Sequence, residues 1–207
     1  MSERAVTQLA SSGALRAVKR GNVWWIDANA VARRAREARA PGRPLSPAVA
    51  WAVILLASND PRWRALGQHG HQPRRAREWL RSHELSEEAF RLEGRARREA
   101  FDAHPSELSR VVSRPDVMRT GISAASEVGL HGGQDELELY ASDDRRDLIM
   151  VEHGLQARPG PVLLRWVPAE IWQHVEGDVA PWVAVLLDLL EHDDPRARRE
   201  AREALGG

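Results

Sequence analysis

The chain has 207 residues, and its 30 Lys and Arg balance its 30 Asp and Glu, so its formal net charge is zero. It has no cysteine, which excludes disulfides and thiolate-ligated metal sites. Its longest apolar run, AVAWAVILLA at 48–57, has about half the length of a membrane-spanning helix, and no apolar signal segment stands at the N-terminus. We therefore expect a cytoplasmic protein that makes no contact with a membrane.

The charge is unevenly distributed along the chain. Residues 1–120 carry 22 Lys and Arg against 13 Asp and Glu, whereas residues 121–207 carry 8 against 17. Such an asymmetry favours a basic part that meets nucleic acid and an acidic part that does not. Because all basic residues except Lys19 are arginine, as is typical of a GC-rich genome, only those within a recognisable element support this interpretation.

The N-terminal elements follow each other closely. A short helix is predicted over Ser2–Leu9, and the Ser-Gly pair that follows it ends the helix. Two strands, Leu15–Lys19 and Val23–Ile26, are separated by Arg20-Gly21-Asn22, which is the signal of a β-hairpin. A helix over Ala28–Ala38 completes the order helix, turn, hairpin, helix.

The middle of the chain is predicted to be helical. The segment Ala40–Pro44 contains two prolines and a glycine and is the best domain boundary. Ser46-Pro47 then begins a helix that continues through Ala48–Ala57 and, being apolar nearly all round, should be buried. Residues 60–120 are predicted to form several helices with Arg-rich polar faces. The expected inward side chains are Trp63, Leu66, Trp79, Leu80, Leu85, Phe90, Leu92, Phe101, Leu108, Val111 and Val112.

After residue 120 strands and helices alternate. Leu137–Tyr140 alternates like a strand, Asp143 caps a helix that ends near His153, and Pro161–Val167 is predicted to be a second strand. Ala180–Glu191 is a strongly apolar helix, and Asp194-Pro195 begins a last charged helix that ends at Leu205.

The fold class that these elements predict is α+β and mostly helical. We expect three domains: an N-terminal winged helix-turn-helix at 1–40, a helical domain at 41–120 and an acidic α+β domain at 121–207, which is a small α/β unit of two strands and their helices. The sequence contains no internal repeat and no low-complexity segment.

The pattern S-x-R-x-V-x-x-L-x-x-S-G-x-L-x-A-V-x-x-G-x-x-W-x-I, which residues 2–26 fill, resembles the winged helix-turn-helix of the MerR/excisionase group. The resemblance implies that the first helix lies in the major groove of DNA and that the hairpin is the wing. The side chains expected to face base edges are Arg4, Thr7 and Gln8. Those expected to hold phosphates are Lys19, Arg20 and Asn22 at the tip of the wing and Arg16 at its base.

Two features of this module leave alternatives open. The W-x-I of the pattern places Trp24 and Ile26 beneath the recognition helix, so Trp25 contacts either the following domain or the sugars of DNA. The family has a helix before the recognition helix, whereas this sequence begins at the recognition helix. Either the true start lies upstream, or the module is reduced and short of its first helix.

A second resemblance extends over most of the chain. The segments 42–56, 104–125 and the C-terminal VLLRWVP with VAPWVAVLLDLLEHDDPRARREAREAL resemble actinobacterial abortive-infection (AbiEi-like) type IV antitoxins. The resemblance implies autorepression of an operon and neutralisation of a nucleotidyltransferase-like toxin, which such antitoxins need not bind stably. The acidic half then serves partner contacts or is simply a solvated surface, and Trp166 and Trp172 either line a groove or pack in the core.

Residue patterns for catalysis and for cofactors are missing from the sequence. His69-Gly70-His71 is the only close histidine pair, and it stands in a Gly/Pro loop without the spacing of a zinc site. Asp143-Asp144 and Asp193-Asp194 resemble helix caps, and His131–Gly133 is most simply a turn. No phosphate-binding loop, dinucleotide fingerprint or nucleophile elbow occurs. We therefore expect that the protein is not an enzyme and that it binds no metal and no cofactor.

Two functional hypotheses follow. The first is a DNA-binding antitoxin and transcriptional autorepressor of a type IV operon, with double-stranded operator DNA and a nucleotidyltransferase-like toxin as partners; a homodimer is left open. The second is a protein–protein interaction module, for toxin contact or dimerisation, whose reduced winged helix no longer binds DNA.

Overall fold

A computed structural model describes residues 6–7, 17–21, 23–26, 43–67, 72–133 and 136–206. The chain divides into two compact units, Met1–Arg43 and Pro44–Gly207. The described residues form an α+β fold that is mostly helical and contains a small four-stranded mixed sheet, which confirms the predicted class. The assignment of the first unit to the winged helix-turn-helix fold stays a prediction.

The first unit contains an antiparallel hairpin of β1 (Ala17–Arg20) and β2 (Val23–Ile26). Arg20 pairs with Val23 across a two-residue turn, and Gly21 in that turn has φ +61°, which a residue without Cβ adopts at no steric cost. The predicted hairpin is confirmed, and β1 ends at Arg20, one residue after its predicted end. Val6 and Thr7 are helical, as predicted, whereas the helix predicted over 28–38 lies outside the described residues.

The helices of the second unit mostly follow the predicted pattern. Its α-helices are α1 (Pro47–Ala57), α2 (Trp63–Gly67), α3 (Gln72–Ser82), α4 (Leu85–Glu88), α5 (Pro105–Val112), α6 (Arg146–Glu152), α7 (Ala169–Val175), α8 (Trp182–Glu191) and α9 (Pro195–Gly206). Three 3₁₀ helices are Ala89–Arg95, Gly121–Val128 and Asp143–Arg145.

Four strands form the sheet of this unit. They are β3 (Arg97–Phe101), β4 (Val117–Arg119), β5 (Leu137–Ser142) and β6 (Val162–Val167), in the spatial order β3-β6-β5-β4. β5 and β6 are parallel and are joined through α6. At the two edges of the sheet, β3 pairs antiparallel with β6, and β4 pairs antiparallel with β5. The predicted strands at 137–140 and 161–167 are therefore confirmed and lie side by side.

Helices cover both faces of the sheet. Successive side chains of a strand point to opposite faces, so β4, β5 and β6 each contribute to two apolar clusters. One cluster joins the sheet to α5 and α6 and includes Leu139, Ala141, Ile149, Leu164 and Trp166. The other joins it to α1 and α8 and includes Trp51, Met118, Tyr140, Val167 and Leu186.

Helix α1 is buried over most of its length, as its uniformly apolar sequence predicts. Side chains 49–55 are all buried, Ser46 is the N-cap, and Pro47 occupies the first turn. The indole Nε1 of Trp51 donates to the carbonyl oxygen of Arg95 at 3.0 Å. This bond ties α1 to the segment that leads into β3.

Three details differ from the sequence predictions. Segment 60–120, which was predicted to be helical, also contributes β3 and β4, because pairing with β6 and β5 determines these edge strands. The Asp143 side chain does not cap the helix that follows it in the chain. Its carboxylate accepts a hydrogen bond from the backbone N–H of Ala169 at 3.0 Å instead. The expected domains 41–120 and 121–207 share this one sheet and belong to one unit.

Candidate nucleic-acid interface

The hairpin places two basic residues of the first unit beside its turn. In the ladder Lys19 pairs with Trp24, and Arg20 pairs with Val23 directly at the turn. Val23 is 60% exposed, whereas Trp24 and Ile26 are half-buried. The backbone thus places two cationic residues in consecutive positions at the end of a short ribbon.

Of the remaining predicted contact residues, the structure places only Thr7. It is helical and exposed, next to the half-buried Val6. The positions predicted to contact DNA that lie outside the described residues are Arg4, Gln8, Arg16 and Asn22. Trp25 was predicted to contact either the following domain or the sugars of DNA, and its side chain also lies outside the described part.

A ribbon that ends in Lys and Arg is chemically suited to phosphate. Both side chains are cationic at every physiological pH, and Arg offers a planar set of N–H donors that matches a phosphate oxygen pair. Such contacts position a module on the DNA backbone without reading its sequence.

A second polar site, in the other unit, lies buried between the sheet and α8. Arg95 ion-pairs with Asp188 and with Glu191, whose Oε1 is 2.7 Å from the guanidinium. Arg165 donates from Nη1 to Oε2 of Glu191 at 2.7 Å. The Nε of Arg95 donates to the Tyr140 hydroxyl at 2.7 Å. Two arginines and two carboxylates therefore balance each other in the interior.

The opposite charges of this site shift the pKa values of its members. Burial alone would lower the pKa of Arg165, but the carboxylates of Asp188 and Glu191 raise it above its usual range. Burial would likewise raise the pKa of Glu191, but Arg165 and Arg95 hold it well below its usual value. The Nε of Arg165 lies 3.1 Å from Asp188 without hydrogen-bond geometry, and its Nη2 is buried without a partner in the described part of the chain. These contacts stabilise the charged states of Arg95, Arg165 and Glu191 rather than poising one of them for proton transfer.

Glu138 borders this site and differs from it electrostatically. Burial raises the pKa of its carboxyl to about 7, and the charge of Asp188 adds to the increase, while Arg165, His192 and Arg98 oppose it. Its Oε2 is 3.4 Å from the backbone N–H of residue 122. Burial thus favours the neutral form of the Glu138 carboxyl.

Neither the ion pairs nor Glu138 were predicted from the sequence. The available signal was a charge inside an apolar run: Arg165 in VLLRWV and Asp188 in VLLDLLE. A charged residue in such a run must be paired when the run is buried. Which residue it pairs with depends on the packing of α8 against β6, and sequence spacing does not reveal that.

A cleft of about 350 Å³ lies at the carboxyl ends of the parallel strands. It is lined by Pro47, Gly94, Ala96, Arg97, Asp143, Trp166 and Pro168. Trp166 is nevertheless 1% exposed, and its Nε1 donates to Glu99 at 2.7 Å. Trp172 is a core residue that is 8% exposed. Both tryptophans therefore pack in the core, which was one of the two predictions for them, and the edge of Trp166 also lines the cleft.

Among the described residues, no three His, Asp or Glu side chains come together as metal ligands. The pair His69–His71 lies outside that part of the chain. Asp194 accepts a hydrogen bond from the backbone N–H of Arg196 at 2.9 Å, so its cap role at the start of α9 is confirmed. None of the described helices has the length and apolar character needed to cross a bilayer.

Comparison with known proteins gives no match: no family model, no curated protein and no solved structure is significantly similar to this chain.

Proposed function

We propose that this chain is a DNA-binding antitoxin that represses its own type IV toxin–antitoxin operon and counteracts a nucleotidyltransferase-like toxin. One observation carries the proposal. The basic pair Lys19-Arg20 stands at the two-residue turn of a hairpin, at the place where the winged-helix pattern of residues 2–26 puts its wing.

The chemistry of each element supports a division of labour on DNA. Lys19 and Arg20 supply phosphate contacts that are independent of sequence and weaken with salt. The helical, exposed Thr7 belongs to the segment that would read bases, together with Arg4 and Gln8. The second unit would carry the antitoxin activity, because it holds most of the fold and the acidic surface of residues 121–207.

The DNA half is tested by anisotropy titration of the full chain with the duplex upstream of its own gene and with a scrambled duplex. We expect preference for the upstream duplex. K19A/R20A should weaken binding to both duplexes alike and reduce the slope of log K against log salt by about two. The exposed pair R199A/R202A on α9 is the matched control and should leave the slope nearly unchanged. Equal slopes for the two double variants would contradict the wing role.

The antitoxin half is tested by co-expression with the nucleotidyltransferase-like gene that neighbours it. Growth should be restored by the full chain, and K19A/R20A should restore growth equally well when both genes are expressed from foreign promoters. Arrested growth in the presence of a folded antitoxin would contradict this half.

A second candidate is an interaction module that does not bind DNA. One observation favours it: Leu148 and Val151, one turn apart on α6, are 49% and 83% exposed, as apolar residues at a protein contact are before a partner binds. It predicts that R4A and R20A leave operator occupancy and toxin neutralisation unchanged, while L148S/V151S abolishes neutralisation.

A further inference from the structure

Helix α3 exposes a strongly basic face. Its inward side chains are Pro73, Ala76 and Trp79, which are buried. Its exposed positions are Arg74, Arg75, Arg77, Glu78, Arg81 and Ser82. Among positions 73–82 of this helix, no apolar side chain is exposed. The face therefore lacks the hydrophobic centre of a typical protein–protein interface.

Most of these arginines have no carboxylate partner. Arg74 pairs with Glu78 at 3.0 Å, but Arg75, Arg77 and Arg81 form no ion pair with the residues that the structure describes, and neither does Arg64 on α2. Some exposed arginines elsewhere on this unit pair along a helix, as Arg110 with Glu107 and Arg196 with Glu200 do, and others, such as Arg199 and Arg202, form no ion pair with the described residues. The face on α2 and α3 differs from these because two of its guanidinium groups lie over one tryptophan ring.

Trp63 holds two of these guanidinium groups in place. The Arg77 guanidinium carbon is 4.8 Å from the centroid of the Trp63 ring, and that of Arg64 is 5.5 Å from it. Stacking on an aromatic ring orients a guanidinium but occupies only its flat surface, so the N–H donors at its edge stay available. Those donors match two phosphate oxygens.

We propose that Arg64, Arg75, Arg77 and Arg81, which we call the arginine face, bind the phosphate backbone of double-stranded DNA. This inference deepens the proposed function, on which it rests, by adding a second DNA contact in the unit that does not contain the hairpin. Arg77 and Arg81 lie one helical turn apart, about 6 Å along the axis. A duplex presents a charge about every 1.7 Å of its axis, so several phosphates are within reach of such a row.

The test compares two triple variants of the full chain that remove the same charge. R75Q/R77Q/R81Q removes three members of the arginine face. R145Q/R199Q/R202Q removes three exposed arginines of α9 and of the turn before α6, and is the matched control. Each is titrated with the upstream duplex and with a scrambled duplex between about 50 and 200 mM salt. Thermal melting confirms that both variants are folded.

We expect R75Q/R77Q/R81Q to bind both duplexes about tenfold more weakly and to reduce the salt slope by about one for each arginine that contacts a phosphate. The control triple should change affinity less than about threefold, because its arginines belong to elements other than α2 and α3. Equal effects of the two triples would overturn the proposal. Displacement of DNA by poly-glutamate at equal charge concentration would also overturn it, since the face would then suit an acidic protein.

The hairpin variant K19A/R20A separates this inference from the proposed function. Loss of binding in K19A/R20A with no loss in R75Q/R77Q/R81Q would leave the wing in place and contradict the arginine face. The reverse result would support the arginine face and contradict the wing. Binding to both duplexes without preference for the upstream one would contradict the repressor role only.

Discussion

The hydroxyl of Tyr140 donates a hydrogen bond to Oδ1 of Asp188 at 3.0 Å, and neither side chain has any exposed surface. Tyr140 lies on the central strand β5 and Asp188 on the apolar helix α8, so this bond joins the sheet to the helix through the core. The same carboxylate compensates the charges of Arg95 and Arg165. The stability of the second unit therefore depends on an anion at position 188.

Asp188→Asn should strongly destabilise the second unit. The amide keeps the shape of the side chain but leaves two buried guanidinium groups with only Glu191 to balance them. We expect the free energy of unfolding to fall by about 3–5 kcal/mol, as it does when one partner of a buried ion pair is removed. Urea denaturation followed by tryptophan fluorescence measures this.

The control for this prediction is Asp147→Asn, because the Asp147 side chain is 90% exposed although it also pairs with an arginine. Its effect should stay within about 0.5 kcal/mol. Equal stability of the two variants would show that the buried charges do not depend on Asp188.

Glu138→Gln should change the pH dependence of stability. The pKa of Glu138 is raised from 4.5 to about 7 in the folded state, so the folded chain binds this proton more tightly than the unfolded chain does. The free energy of unfolding therefore falls as pH rises from about 4.5 to about 7, by up to about 3 kcal/mol. The uncharged amide avoids this loss.

The measurement is the difference in free energy of unfolding between Glu138→Gln and the unmodified chain at pH 5 and pH 8. We expect the variant to gain relative stability at the higher pH. Glu203→Gln, at an exposed position of α9, should show the same difference at both values. A pH-independent difference for Glu138→Gln would mean that Glu138 titrates normally.

Gly121→Ala should be worse than Gly129→Ala. Both glycines have positive φ, +48° and +74°, and so both variants bear the left-handed strain of about 1–2 kcal/mol. A Cβ at 129 meets nothing within 4 Å, whereas a Cβ at 121 would overlap Oε2 of Glu138. We expect an additional loss of about 2 kcal/mol for Gly121→Ala, from overpacking.

Thermal and urea unfolding of the two alanine variants measure this difference. In a Glu138→Ala background most of the excess should disappear, because the carboxylate that occupies the space is gone and only Cβ of residue 138, 3.2 Å away, remains close. An excess that persists there would trace the cost to the backbone and not to Glu138.

Arg62→Ala should loosen the end of α7. The Nη1 of Arg62 donates to the carbonyl oxygens of Val175 and Glu176 at 2.7 and 2.8 Å, and its Nε donates to Asp60 at 3.0 Å. These bonds satisfy carbonyl groups that a helix end leaves without partners. We expect a loss of about 2 kcal/mol. Hydrogen exchange should locate it at residues 172–176, and the exposed Arg199→Ala serves as the control. Unchanged exchange there would contradict the anchoring role.

Elements with a strong local pattern were predictable. The apolar run after Ser46-Pro47 became the buried helix α1, and the apolar segments near 137 and 162 became adjacent strands. The turn at Gly21 was predictable for the same reason, since a two-residue loop needs the conformation that glycine adopts. In each case the preference of neighbouring residues and the burial of one run decide the structure.

Strand β3 was not predictable in this way. Its residues RREAF are mostly charged and exposed, and it became a strand because Arg98 pairs with Arg165 and Phe101 with Val162, more than sixty residues away. The arginine face is a similar case: its arginines are visible in the sequence, but the stacking of Arg77 on Trp63 depends on the packing of α3 beside α2.

Local sequence patterns were enough to locate the long apolar helices and the two central strands, because hydrophobic periodicity and turn residues act over a few neighbouring positions. The sequence also shows where charge accumulates along the chain. Packing in three dimensions brings Asp188 to Arg95 and Arg165, buries Glu138 beside Gly121, and leaves some exposed arginines without a carboxylate nearby. Those relationships join segments far apart in sequence, and the energy of a buried charge depends on what surrounds it in space.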